Sequence, residues 1–582
     1  MFDSIGSMTV RFEEHDPNSE KGRQSNAKSS VSGLDYSPLP RVSKTTLSMA
    51  LLVSMGGLIF GYDTGQISGF LEMPDFLERF GEIDSDGKPY FSTVRSGLIV
   101  ALLSIGTLIG ALVAAPLADK LGRRPSVSIW CLITSIGFVV QIAANTAWYQ
   151  VMIGRLIAGL GVGALSLLVP MYQAETAPAW IRGALVCAYQ LFITAGIFLA
   201  ACFNYGTYTH QRYNSGSWRI VIGLGWVWTI VLGVGILFFP ETPRFDFRQG
   251  KSERAIETIC KVYGASRNHW AVHTQIREIE NKLQAEDKVL LNPIAEFASM
   301  LRAPRMLYRL ALGMALQSLQ QLTGANYFFY YGTTIFKSVN ISSYITQIIL
   351  NTINFGVTFI GLYIVEHFGR RKSLVFGSAW MFLCFLIFAS VGHQLLDIDN
   401  PENTPTPGIV LIVFASLFIL GYATTWGPMI WAIQSEIFPS RYRAKGMAIS
   451  TASNWTWNFC IGFFSPFITK AIDFQYGYVF AGCNFVAGFV IYFFVIEGQG
   501  RSLEEIDTMY LEGVKPWKSS QWVRPDDERM AEIRRKAGVD VEALADDGSN
   551  EALSSDAHGT NGEESSREKH QSNNGQMHEE DV

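Results

Sequence analysis

The charged residues of this chain are distributed in a way that a water-soluble core does not permit. Residues 1–45 hold 12 of them, 240–308 hold 20 and 497–582 hold 31, which leaves 34 for the other 382 residues. A body with fewer than one charge per ten residues cannot cover itself with polar surface, whereas segments that face lipid need almost none. The chain therefore reads as apolar spans with soluble ends and one soluble insertion.

Apolar stretches of spanning length fall at 46–69, 94–117, 125–147, 149–172, 184–205 and 218–239, then at 309–336, 344–365, 373–394, 408–433, 446–469 and 477–496. Each has about the 20 residues a helix needs to cross the hydrocarbon. Twelve spans place both termini on one side. Lys and Arg choose that side. Lys120, Arg123 and Arg124, then Arg182, then Arg370, Arg371 and Lys372, then Arg441, Arg443 and Lys445 all follow even-numbered spans. The loop 70–93 has two cations among six acids, and 395–407 has none. The termini and the insertion are expected in the cytoplasm. Residues 1–45 contain no apolar run after a basic start, so no cleaved signal is expected and the first span serves as address and anchor.

The halves repeat. Asp119, Gly122, Arg123 and Arg124 follow span 2, and Glu366, Gly369, Arg370 and Arg371 follow span 8, 247 residues later. Glu175 stands seven residues before Arg182 after span 4, and Glu436 seven before Arg443 after span 10, an offset of 261. Two related six-helix halves account for both offsets, and the mirrored acid–arginine sets are expected to form a cytoplasmic gate. The expected fold is all-α, with twelve transmembrane helices in two pseudo-symmetric halves. The divisions are a disordered tail at 1–45, the halves at 46–239 and 309–496, a helical linker at 240–308 and an acidic tail at 497–582.

Several classes are excluded. The net charge of −5 and the absence of a basic stripe argue against nucleic acid. The seven cysteines are scattered without a CxxC pair, so neither a disulfide scaffold nor a metal site is expected. No phosphate loop, dinucleotide fingerprint or nucleophile–base set is present, so the chain is not read as an enzyme and no cofactor is expected. Gly154, Gly159, Gly161 and Gly163 lie inside a span and read as helix-packing glycines. Asn340 begins a glycosylation sequon close to the expected outer membrane edge.

The motifs, taken in order, resemble the sugar porter family of the major facilitator superfamily over roughly residues 45–510, nearest to fungal hexose transporters. They are Gly154-Arg155 with the following glycines, Pro170 through Pro178 around Glu175, Arg182-Gly183, Pro240 through Arg244, Gln320 through Tyr331, Trp431, and Glu436 through Pro439. The resemblance implies a hexose, most readily glucose, carried across the plasma membrane by alternating access. It implies sugar ligands at Gln190, Gln320, Gln321, Asn326, Asn354, Trp431 and Asn458, with Asn454 in the surrounding polar shell. It also implies an outer gate at Tyr330 and Tyr331. Neutral amides inside apolar spans suit a polyhydroxylated, uncharged substrate. Gly324 allows the unwinding that would turn Gln320 and Asn326 toward one cavity.

Asp63 in span 1 and Arg155 in span 4 are candidates for proton coupling, because an intramembrane carboxylate is a functional group by default. Facilitated diffusion is the preferred reading, proton symport the alternative. A glucose sensor is a second alternative, because Ile496-Glu497-Gly498-Gln499-Gly500 lacks the family's proline and is expected to make that helix exit more flexible. A short helix is expected within 526–545. Lipid contacts and a working monomer are also expected, and Lys515, Lys518, Lys536 and Lys569 are candidate acceptors for ubiquitylation factors.

Overall fold

A computed structural model describes residues 35, 37–40, 43–178, 181–287, 293–336, 342–397, 403–439, 442–499, 501 and 503–536. Asn340, Lys569 and the end of the acidic tail lie outside the described residues. The chain is an all-α multi-span membrane protein. Helix α1 (Lys44–Phe70) is followed by a short α2 (Pro74–Phe80) and a two-stranded hairpin, Glu82–Ile83 with Pro89–Tyr90. Then come α3 (Thr93–Leu121), α4 (Arg123–Ile142), α5 (Trp148–Thr176), α6 (Arg182–Gln211) and α7 (Gly216–Gly235). The insertion folds into α8 (Pro243–Arg248), α9 (Ser252–Tyr263), α10 (Trp270–Asp287) and α11 (Pro293–Arg302). The C-terminal helices are α12 (Met306–Leu322), α13 (Ala325–Ile335), α14 (Ser343–His367), α15 (Arg370–Gln394), α16 (Pro405–Gly421), α17 (Gly427–Ile437), α18 (Arg443–Ile472) and α19 (Tyr476–Phe494). Beyond them lie α20 (Leu503–Glu512) and α21 (Asp527–Lys536).

Ten helical stretches among the described residues are long and apolar enough to cross a membrane. One of them, Lys445–Phe494, contains both α18 and α19, which are separated at Asp473. The expected span at 309–336 is not one helix. It breaks between α12 and α13 at Gly324, whose φ of 95° lies in the left-handed region where a side chain is strained. Neither piece is long enough to count as a span alone.

Close helix crossings depend on glycine. A Cβ on Gly110 of α3 would lie 1.9 Å from the Leu160 carbonyl oxygen, and one on Gly163 of α5 would lie 2.1 Å from that of Thr107. Gly106 and Gly159 meet in the same crossing, so two glycines four residues apart on each helix bring the backbones together. Gly110→Leu is expected to force α3 from α5 and to abolish monodisperse protein, as read by fluorescence size-exclusion chromatography of a tagged chain.

Among the described residues the N-terminal and C-terminal helices meet along three main seams. Helix α3 packs on α18, where Gly97 admits the Phe463 carbonyl. Helix α6 packs on α14 through stacked Phe198–Phe355 and Tyr208–Tyr344 rings, 6.0 and 4.2 Å apart. Helix α1 meets α13 where Thr333 donates twice to Ser68, its N–H to Ser68 Oγ at 3.1 Å and its hydroxyl to the Ser68 carbonyl. Beside them the Tyr344 hydroxyl donates to the Gly69 carbonyl at 2.9 Å.

Candidate functional site

The amides of the broken helix form one hydrogen-bonded group. Gln321 Nε2 donates to Asn454 Oδ1 at 2.9 Å, and Gln321 Oε1 accepts from Asn326 and, at 3.2 Å, from Asn458. Asn458 Oδ1 accepts from the Tyr330 hydroxyl at 2.8 Å and from the Ser104 hydroxyl of α3 at 2.5 Å, so the group reaches across the α3–α18 seam. Gln320 Nε2 donates to the carbonyls of Trp426 and Gly427 at 2.9 and 3.1 Å, and its Oε1 accepts from Asn454 at 3.0 Å. Both carbonyls lie where Tyr422–Trp426, wound wider than an α-helix, passes into α17.

The structure thus brings together Gln320, Gln321, Asn326, Asn458 and Tyr330, with Asn454 among them. The side chains of Gln190 on α6, Asn354 on α14 and Trp431 on α17 make no hydrogen bond to this group among the described residues. Asn354 is buried and Trp431 is 37% exposed. Sequence reasoning missed Gln317 and Gln434, which bond to each other, with Gln317 Oε1 also accepting from Asn454 at 2.7 Å. Gln317 stands four residues before Gln321, one turn along the same face. That spacing was the available signal.

Residues Tyr327 to Tyr331 are five consecutive aromatics, and they divide in their contacts. Tyr331 donates to the Gly462 carbonyl at 2.5 Å, so Tyr330 and Tyr331 both bind α18 and are buried there. Phe328 packs among Phe336, Phe385, Phe388 and Phe418, and Tyr327 lies against Tyr476 and Phe480. Trp455 is buried against Phe60 of α1, ring centroids 5.6 Å apart, as an anchor between N- and C-terminal helices.

Asp63 and Arg155 face each other at 3.7 Å, both side chains 0% exposed. Gln66 Nε2 donates to Asp63 Oδ1 at 2.6 Å. Asp63 Oδ2 and all three guanidinium nitrogens have no hydrogen-bond partner among the described residues.

The mirrored charge clusters are present, with a different division of labour from the expected one. Arg123 contacts Glu175 and Asp119 at 3.1 Å each, and Asp119 also holds Arg248. Arg370 contacts Glu436 at 2.7 Å. The Arg123 and Arg370 pairs join neighbouring helices within the N-terminal or within the C-terminal set, and Asp119–Arg248 ties α3 to α8 of the insertion, so none of these pairs bridges the N- and C-terminal helices in this conformation. Arg443 Nε approaches the Phe438 carbonyl at 3.5 Å. The side chains of Arg182 and Glu366 lie outside the described residues.

Arg124 and Arg371 contribute backbone rather than guanidinium to the acids. Glu241 accepts the N–H groups of Arg123 and Arg124 at 3.0 and 3.1 Å, and Glu497 accepts those of Arg370 and Arg371 at 2.9 and 3.1 Å. The Arg371 guanidinium instead donates to the Tyr492 carbonyl and lies over the Tyr492 ring. Each carboxylate caps a helix that starts straight after a glycine, Gly122 at φ 100° and Gly369 at φ 82°, so the negative group meets the positive helix end. Burial raises the Glu241 pKa, and three backbone N–H bonds oppose that shift. Glu241 and Glu497 stand 256 residues apart, between the two offsets already noted, which was the signal for them.

The exit from α19 is tied down rather than loosened. The Glu497 N–H donates to Ser519 Oγ at 3.0 Å, and Arg309 of α12 binds Asp507 of α20 at 2.6 Å. A Cβ on Gly498 would lie 2.7 Å from a Glu436 oxygen, so that glycine serves close approach.

Residues 49–510 match the family described as "Sugar (and other) transporter", and the chain belongs to it. It is 46% identical over 524 residues to "Hexose transporter 2" of Kluyveromyces lactis, covering 89% of this chain and 91% of that one. It is 43% identical over 543 residues to "High-affinity hexose transporter HXT6" of Saccharomyces cerevisiae, covering 91% and 93%. Its fold is similar to the inward-open xylose transporter XylE of E. coli, with a TM-score of 0.66, 25% identity and coverage of 80% and 99%.

Proposed function

We propose that the chain carries a hexose, glucose first, across the plasma membrane by alternating access and facilitated diffusion. The observation that carries this reading is the neutral amide group at the α12–α13 break, set where helices from both sides of the linker meet. A sugar presents many hydroxyls and no charge, and each Gln or Asn offers it a donor and an acceptor. Gln190, Asn354 and Trp431 complete the site when it closes around substrate. The proposed architecture has twelve crossings, with α18 and α19 as two of them and α12–α13 as one. These form halves at 46–239 and 309–496 around a cytoplasmic linker at 240–308. The tails at 1–45 and 497–582 are cytoplasmic in this reading, and a monomer suffices. The α1–α13 and α6–α14 contacts support an outer gate closed around Tyr330 and Tyr331. The acid–arginine pairs would then regroup across the halves when the inner side closes.

The test is uptake of labelled glucose, fructose, galactose and xylose in yeast lacking its own hexose carriers. Saturable glucose uptake, with weaker uptake of at least one of the others, is expected. Normal surface abundance without uptake would overturn transport and favour the sensor.

A further inference from the structure

A cavity of about 680 Å³ opens beside the start of α1, away from the amide group. It is lined by Lys44, Thr45 and Ser48 of α1, Arg124 of α4, Phe238 to Pro240 after α7, and Lys261 of α9. Three cations thus converge from three elements, and no carboxylate is among the residues that line it. Two acids are close in sequence to the lining residues, Glu241 beside Pro240 and Glu257 one turn before Lys261. Glu241 accepts backbone N–H groups, and Glu257 sits 3.8 Å from Lys261 on an exposed helix face.

The walls are fixed by contacts that do not use the cationic side chains. Thr46 Oγ1 donates to the Val262 carbonyl at 2.7 Å, which ties α1 to the end of α9. The Tyr172 hydroxyl donates to the Pro240 carbonyl at 2.6 Å, and the Arg124 N–H is held by Glu241. The cavity therefore has a defined shape before anything enters it.

Its depth decides which anion it suits. Lys44 is the first residue of one candidate span and Phe238 the last of another, so the cavity lies at the boundary between hydrocarbon and water. Leu47 and Leu51 are about half exposed along α1, and Phe238 is 84% exposed at the rim. An apolar rim under a cationic cup suits a headgroup with its acyl chains attached, since basic pockets at helix ends hold anionic lipid headgroups. We propose that this cavity binds the phosphomonoester headgroup of an anionic membrane lipid. Lys44, Arg124 and Lys261 hold the phosphate, and Thr45 and Ser48 supply hydroxyl hydrogen bonds. Bound there, the lipid joins linker helix α9 to the first turns of α1 and α4.

The experiment uses full-length protein in neutral detergent, with bound copies counted by native mass spectrometry. The probes are dioctanoyl phosphatidylinositol 4-phosphate, dioctanoyl phosphatidylserine and the free headgroup inositol 1,4-bisphosphate. One copy of the phosphoinositide is expected, with the other two probes weaker by on the order of tenfold. The double variant K44Q/K261Q, which changes two exposed side chains, is expected to lose on the order of tenfold in affinity for the phosphoinositide while keeping its melting temperature. Equal binding of the free headgroup would assign the cavity to a soluble anion and overturn the lipid. Equal binding of phosphatidylserine would overturn the phosphomonoester, and unchanged affinity in K44Q/K261Q would overturn the site.

Discussion

Gln321→Ala is expected to reduce glucose uptake by about a hundredfold at unchanged surface abundance. Gln321 is the centre of the amide group: its oxygen accepts from Asn326 and Asn458, and its nitrogen donates to Asn454. Removing it leaves three amides without a shared partner. Each unsatisfied buried group costs about 1–3 kcal/mol, and two such losses in the loaded state amount to on the order of a hundredfold. The substitution deletes side chain and introduces no clash, so the helices around it keep their packing. Initial rates of labelled glucose uptake, normalised to surface-labelled protein, measure the effect. Trp431→Ala is the companion, removing an aromatic face instead of an amide. If uptake survives Gln321→Ala at full rate, the sugar does not bind at the α12–α13 break.

The positions of the helices were legible because hydropathy alone sets them. The apolar stretch at 46–69 became Lys44–Phe70, and 373–394 became Arg370–Gln394. Helix was also expected in the insertion and within 526–545, where the structure has α8 to α11 and α21. The break at Gly324 was legible too, since a glycine between amides six residues apart permits the unwinding that turns both toward one side. What escaped is whatever depends on a partner distant in sequence. Gln434 reads as one polar residue near the end of an apolar run until α17 lies against α12 and Gln317 meets it. Arg124 and Arg371 look like two more gate cations. Their role in the acid clusters comes from their N–H groups, and sequence does not distinguish a backbone donor from a side-chain one. The glycines after α19 suggested looseness because propensity counts a glycine's freedom, whereas here Gly498 is small so that Glu436 can approach.

Asp63→Asn is expected to cut uptake by at least about tenfold and to lower the melting temperature of the purified protein. The change keeps the shape of the side chain and its hydrogen bond with Gln66, but it leaves Arg155 as a lone charge in a fully buried site. Breaking a buried pair from one side costs about 3–5 kcal/mol. In the facilitator reading the pair is a fixed link. The double variant D63N/R155Q, which removes both charges, should then recover most of the melting temperature and part of the uptake. Adding sugar to cells that express the unaltered chain should leave the pH of an unbuffered medium unchanged. In the symport reading a proton moves with each sugar, so the medium turns alkaline. Asp63→Asn would then abolish that signal while sugar exchange continues. The 3.7 Å separation, and the four polar atoms of the pair that have no hydrogen-bond partner among the described residues, describe a pair held together by charge more than by hydrogen bonds. Such a pair loosens when either member is neutralised, so the two readings differ only in whether the proton does this in each cycle. Alkalinisation by the unaltered chain, lost in Asp63→Asn, would overturn facilitated diffusion while leaving the amide group as the sugar site.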